Sequence, residues 1–170
     1  MKLLVKNKLF SLGGSSIVTD ENNKTVYKVK GSLFSNIISH THKKKVKDAS
    51  NKKLFVVRNK FWHRLFHKSA LIYRNGKKIA RIEKSYLVKN GYDVTGATEP
   101  ISIVGSGWNL DIMLGENKIG SISRPSGTVK DAFRLTDAYI LDVVDPADAP
   151  FLVAVVIAID NIYDSNKKQV

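Results

Sequence analysis

DPADAPFLVAVVIAIDNIYDS, residues 145–165, is the stretch whose reading decides the fold. Within it, Phe151 to Ile159 are nine consecutive apolar residues with no polar break. A surface helix carries an apolar stripe at a period of 3.6, whereas a helix apolar all round belongs in an interior. The run falls short of the about 20 apolar residues that a bilayer span needs. Asp145 or Asp148 can cap its start, and Pro146 and Pro150 suit a first turn but not a helix interior. Asp160, Asn161 and Asp164 should bring the far end back to water. From about Ala149 to Asp164 the helix would be roughly 24 Å long. Each buried side chain of this kind contributes about 1.5–3 kcal/mol, so this one element carries a large share of the gross stabilisation. Something must wrap around it.

The residues upstream read as the wrapping. KNKLF at 6–10 recurs as KGSLF at 30–34, as RNKFW at 58–62 and, more weakly, as EKSYL at 83–87. Between and beyond these copies stand turn signals: DENNK at 20–24, DASNK at 48–52, RNGK at 74–77 and GENK at 115–118. Asn75-Gly76 is the strongest two-residue hairpin signal among them. After each turn comes a short run rich in strand formers: TVYKV, KLFVV, KIARI and KIGSI. Alternation puts Ile79 and Arg81 on one face of such a strand and Ala80 and Ile82 on the other.

The second half continues the pattern, with strands expected near 86–89, 91–97, 101–104, 107–114, 118–123, 129–135 and 138–144. Residues 63–68 (HRLFHK) fit a helical turn or a bent strand. No linker divides the chain, so residues 1–170 are expected to form a single domain. One apolar helix and about a dozen meandering strands have a natural solution. The sheet closes into an antiparallel barrel, which removes its edges, and the helix fills the lumen.

Composition narrows the function classes. There is no cysteine, so neither disulfides nor thiolate zinc sites are available. The opening MKLLVKNKLF has too few apolar residues for a secretory segment, and no transmembrane segment is expected; a cytoplasmic protein, with peripheral attachment to a membrane as the variant, is the expectation. The net charge of +13 is unevenly placed. Residues 1–90 hold 22 basic and 4 acidic residues, whereas residues 91–170 hold 6 and 11. Such asymmetry suggests a basic face and a polyanionic partner.

The chain resembles the LURP-one-related family of the Tubby C-terminal-like superfamily, most closely its small bacterial members. The opening MKLLVKNKLFSLG, the VKGSLFS echo at 29–35 and above all YILDVVDPADAPFLVAVVIAID at 139–160 carry the likeness. The resemblance implies a mainly β fold, a closed antiparallel β-barrel of about twelve strands around a central hydrophobic C-terminal helix. It also implies a binding module rather than an enzyme, since Tubby proteins bind phosphoinositides through basic residues on the barrel surface. The basic stretch 40–47 (HTHKKKVK) departs from the family pattern, so any basic surface built on it is particular to this chain.

The candidate ligand site follows from the charge. Lys43, Lys44, Lys45 and Lys47 are expected to crowd one hairpin tip beside His40 and His42. Lys52, Lys53, Arg58, Lys60, Arg64 and Lys68 follow, with Phe61, Trp62 and Phe66 interleaved. The reading is a non-catalytic module that docks Lys43, Lys44, Lys45, Lys47, Lys52, Lys53, Arg58, Lys60 and Arg64 on anionic phospholipid head groups or another polyanion. Phe61 and Trp62 fit the core, or Trp62 the membrane interface. A nucleic-acid-binding role through the same face is the alternative, though no helix-turn-helix, RNP or zinc-finger pattern supports it. A protein-interaction or scaffold role is the other, and the oligomeric state is left open.

Other constellations carry less. His40, His42, His63 and His67 lie close in sequence, but no thiolate or glutamate joins them, and no metal is expected. Asp142, Asp145 and Asp148 come at three-residue steps, which helix capping and strand exit explain more simply than a paired-carboxylate site. Gly13-Gly14-Ser15-Ser16 and Gly105-Ser106-Gly107 match neither a P-loop nor a dinucleotide fingerprint. No catalytic residue and no cofactor are expected.

Overall fold

A computed structural model of the protein describes residues 1–7, 15–31, 43–59, 69–85, 91–97, 100–107, 109–125 and 138–167. Twelve strands lie in these segments: β1 (Lys2–Asn7), β2 (Ser16–Thr19), β3 (Thr25–Gly31), β4 (Lys43–Asp48), β5 (Lys53–Asn59), β6 (Ser69–Arg74), β7 (Lys77–Lys84), β8 (Tyr92–Thr95), β9 (Ile101–Ser106), β10 (Asn109–Leu114), β11 (Asn117–Ser123) and β12 (Ala138–Val143). A 3-10 turn (Pro146–Asp148) leads into one long helix, α1 (Ala149–Lys167). The strands expected at 86–89 and 129–135, and the turn at 63–68, lie outside the described residues.

Local chemistry builds the hairpins. Asn75 and Gly76 both take positive φ, 51° and 82°, as the two-residue β6–β7 turn demands. The β2–β3 and β4–β5 turns share one device. Asp20 Oδ1 accepts from the backbone N–H of Asn22 and Lys24, each at 2.9 Å, while Asn23 turns left-handed. Asp48 Oδ1 accepts from the Lys52 N–H at 2.9 Å and the Ser50 hydroxyl at 2.7 Å, with Asn51 left-handed. An aspartate that folds back on its own turn, with asparagine supplying the positive φ, fixes where each strand must stop.

Each strand pairs antiparallel with its neighbours in sequence, and β1 pairs with β12 from Lys2↔Asp142 to Lys6↔Ala138, closing the ring. Inward positions alternate as the sequence predicts: Val46, Phe55, Val57, Ile72, Ala80, Ile82, Ile103 and Ile112 are buried. Arg81 lies on the other face and is only partly covered, whereas Ile79, at the bulge in the β6–β7 pairing, is partly covered and packs against the core.

The helix fills the lumen. Leu152 to Ile159 have no exposed surface, including Val153, Val156 and Ile157. Asp145 caps the 3-10 turn, accepting from the Ala147 N–H at 2.9 Å, so Pro146 and Pro150 both fall in first turns, where no N–H partner is lost. With that turn, Pro146–Tyr163 is long and apolar enough by length and composition to cross a membrane, but here the barrel encloses it. Gly120 on β11 lets the helix come close: a Cβ there would lie 2.9 Å from Leu152 Cδ1 and 2.8 Å from the Asp142 carbonyl oxygen.

One expectation fails at the far end. Asp160 and Asn161 do not return the helix to water; both are 2% exposed. They stay inside because the barrel mouth offers partners. Asp160 meets Lys44 and Tyr139, and the Asn161 carbonyl accepts from Asn59 Nδ2 at 3.3 Å.

Candidate anion-binding wall

The lysines of 43–47 do not crowd a hairpin tip. Asp48 closes its turn over residues 48–52, so the lysine run lies along β4 itself, on alternating faces. Lys44 therefore points into the barrel. Its ammonium is 3.1 Å from Asp160 Oδ2, whose other oxygen accepts from the Tyr139 hydroxyl at 2.7 Å. It is lost to any outward-facing ligand. Lys43, Lys45 and Lys47 face outward.

Cross-strand register then assembles a wall that no single strand shows. On the outer surface Lys30 stands opposite Lys45, and Lys28 opposite Lys47, across β3 and β4. Lys43 stands opposite Arg58, and Lys47 opposite Lys53, across β4 and β5. Four like-charged pairs sit directly across from one another, an arrangement that destabilises a sheet. Among the described residues, none of these seven side chains has a carboxylate within ion-pairing distance. The Lys43 ammonium has its pKa pushed below the ordinary lysine value by desolvation first, then by the charges of Arg58, Lys45 and Lys53.

The wall is not flat. Lys43, Lys45, Lys53 and Arg58 surround a concavity of about 250 Å³, floored by Val56 and Tyr73. The Arg58 guanidinium carbon lies 5.2 Å from the centre of the Tyr73 ring, which holds the cation in place at the rim. Lys52 is exposed on the β4–β5 turn beside this wall. Lys60 and Arg64 lie outside the described residues, as do Phe61, Trp62, Phe66, Lys68 and all four histidines. Lys28, Lys30 and Tyr73 were not singled out from the sequence. Alternation in TVYKVK could have placed the first two outward, but not beside β4.

Asp142 lies on β12 opposite Ser121 and Lys2, and Asp145 is engaged as a cap. Among the described residues, no three histidine or acidic side chains converge as metal ligands.

A twelve-stranded antiparallel barrel sealed around a buried carboxyl-terminal helix defines a protein of the Tubby C-terminal-like fold class, a fold that suggests a binding module. The chain belongs to the LURP-one-related family, whose model matches residues 1–160. Its fold is similar to that of an Arabidopsis thaliana protein of known X-ray structure, with a TM-score of 0.57 and 15% identity over 94% of this chain and 91% of that one. At that identity the likeness concerns the fold alone. No curated protein sequence matches the chain.

Proposed function

We propose that the protein is a non-catalytic binding module that docks the outer wall of β3–β5 on anionic phospholipid head groups. The observation that carries this reading is the set of four like-charged cross-strand pairs on one wall, four of whose cations, Lys43, Lys45, Lys53 and Arg58, line one concavity. Lys43 opposite Arg58 and Lys47 opposite Lys53 repel across the sheet, and among the described residues no carboxylate answers them. A multiply charged anion seated between Lys43, Lys45, Lys53 and Arg58 relieves that repulsion and supplies the missing counter-charge. Near an acidic bilayer each lysine or arginine contributes about 1 kcal/mol, and the contribution falls with salt. The outward position of the cations along strands, rather than on one tip, suits a surface ligand met broadside.

The test is co-sedimentation with vesicles of neutral lipid alone and with 20–30% phosphatidylserine or a phosphoinositide added, across a salt series (compositions on the order of those of natural acidic leaflets). Binding to acidic vesicles at low salt, lost in a Lys43→Glu/Arg58→Glu variant, supports the reading. Tight binding of single-stranded nucleic acid with none to acidic vesicles would replace it by the nucleic-acid alternative.

A further inference from the structure

We propose that the mouth of the barrel where the helix begins takes the alkyl chain of a single-chain anionic amphiphile, with its head group held by Arg74 and Lys78. This site is separate from the β3–β5 wall, and the proposal stands independently of that reading. The mouth holds an open concavity of about 490 Å³, lined by Ile79, Ala97, Ile101, Leu114 and Phe151. That volume falls in the range, roughly 300–1,000 Å³, of sites that take small organic ligands.

The apolar floor follows from the register. Ile101 stands opposite Leu114, continuing the inward row of Ile103 opposite Ile112. Ile103 and Ile112 are sealed against the core, whereas Ile101 and Leu114, one step nearer the mouth, are only half covered. The helix does not cover them because it lies closest to β5 and β6, across the lumen. Phe151, in its first turn, leans the same way and packs edge-on against Phe55 of β5, with ring centres 6.2 Å apart.

The edge of this floor is cationic. Arg74 and Lys78 flank the β6–β7 turn, are exposed, and have no carboxylate within ion-pairing distance among the described residues. Among the described residues, none that lines the concavity is acidic. The Arg74 guanidinium carbon lies 5.8 Å from the centre of the Phe55 ring, which ties the cation to the apolar floor through Phe55 and Phe151. Apolar depth with cations at one lip matches a ligand with a chain and one negative end. A peptide segment fits less well, because its backbone N–H and C=O groups would meet apolar side chains with few partners.

The experiment is calorimetric titration of the whole protein with hexyl, octyl and decyl phosphate below their micelle concentrations, with inorganic phosphate as the headless control. Affinity is expected to rise about fourfold per added methylene until the groove is full. Added salt should weaken every member of the series. Ala97→Phe, which fills the groove from the turn after β8, should abolish the dependence on chain length. Lys78→Glu should weaken all three ligands and leave that dependence intact. Lys43→Glu/Arg58→Glu should leave alkyl phosphate binding unchanged, so loss of vesicle docking and loss of this site are told apart. Equal binding of inorganic and decyl phosphate, or a chain-length dependence that survives Ala97→Phe in a variant with native circular dichroism, overturns the proposal.

Discussion

The ammonium of Lys44 on β4 and the carboxylate of Asp160 on the central helix, 116 residues apart in sequence, meet at 3.1 Å inside the barrel mouth. Their side chains are 10% and 2% exposed, and the Tyr139 hydroxyl holds the second carboxylate oxygen. A helix apolar all round has no polar face to set its rotation or depth. This pair supplies one fixed point, because sliding or turning the helix would strand two buried charges.

Breaking that point should be costly. Lys44→Met leaves the Asp160 carboxylate buried without its cation, and a loss of about 3–5 kcal/mol is expected in urea unfolding. Adding Asp160→Asn, which keeps an acceptor for Tyr139, should recover most of it. A double-mutant cycle that finds the two changes additive would show that the contact contributes nothing of this kind.

Adjacent lysines should behave in opposite ways. Lys45 faces outward opposite Lys30, while Lys44 faces the helix. Lys45→Glu turns the like-charged pairing with Lys30 into an opposite-charged one, so stability should rise by about 0.2–1 kcal/mol while binding to acidic vesicles weakens. The folded Lys44→Met/Asp160→Asn variant should bind those vesicles as the native protein does.

Close approach of sheet and helix makes Gly120 sensitive. A Cβ at this position meets the Asp142 carbonyl oxygen, which is backbone and cannot step aside, as well as Leu152. Gly120→Ala should cost about 1–3 kcal/mol through overpacking. For a chain of this size that is a fall in Tm of about 2–4 °C per kcal/mol by calorimetry. Leu152→Ala alone should not rescue it.

Alkaline pH should unfold the protein partly through two tyrosines. Tyr27 has its pKa raised above 10.0, by burial first and then by the Asp48 charge. Tyr92 is raised above 10.0 by burial first and then by Tyr163. Between the unfolded value and the raised folded one, the unfolded chain has released protons that the folded chain still holds. Stability from these groups is therefore complete below pH 10.0 and declines as pH climbs through their folded values. Tyr27→Phe/Tyr92→Phe should flatten that decline in unfolding measured from pH 9.5 upward, relative to the native chain (a window of about one unit either side of the tyrosine value). Ionisation of lysines occurs in both proteins and cancels in the comparison.

Much of the barrel was legible because its signals are local. Asn75-Gly76 specifies its turn through two positive φ angles, and Asp20 and Asp48 specify theirs through hydrogen bonds reaching no more than four residues along the chain. The repeats mark strand pairs: Lys6-Asn7, Lys30-Gly31 and Arg58-Asn59 close β1, β3 and β5 at the same rim. Their aromatic members fall outside the described residues. The candidate site was less legible. The basic run was visible, but its reading as a tip gave four outward lysines where the strand gives three.

By itself the sequence determined that the apolar run from Phe151 to Ile159 belongs inside, since no orientation of that helix offers water a polar face, and Leu152 to Ile159 are sealed there. It also determined that alternating strands joined by tight turns would do the enclosing. Only the tertiary structure decided which face each lysine of β4 takes, which cations stand opposite one another, and which part of the mouth the helix leaves uncovered. Alternation within a strand has a period but no phase. The phase is set by the bulges, the closure of β1 on β12 and the pairing of Lys44 with Asp160, all contacts between residues far apart in the chain.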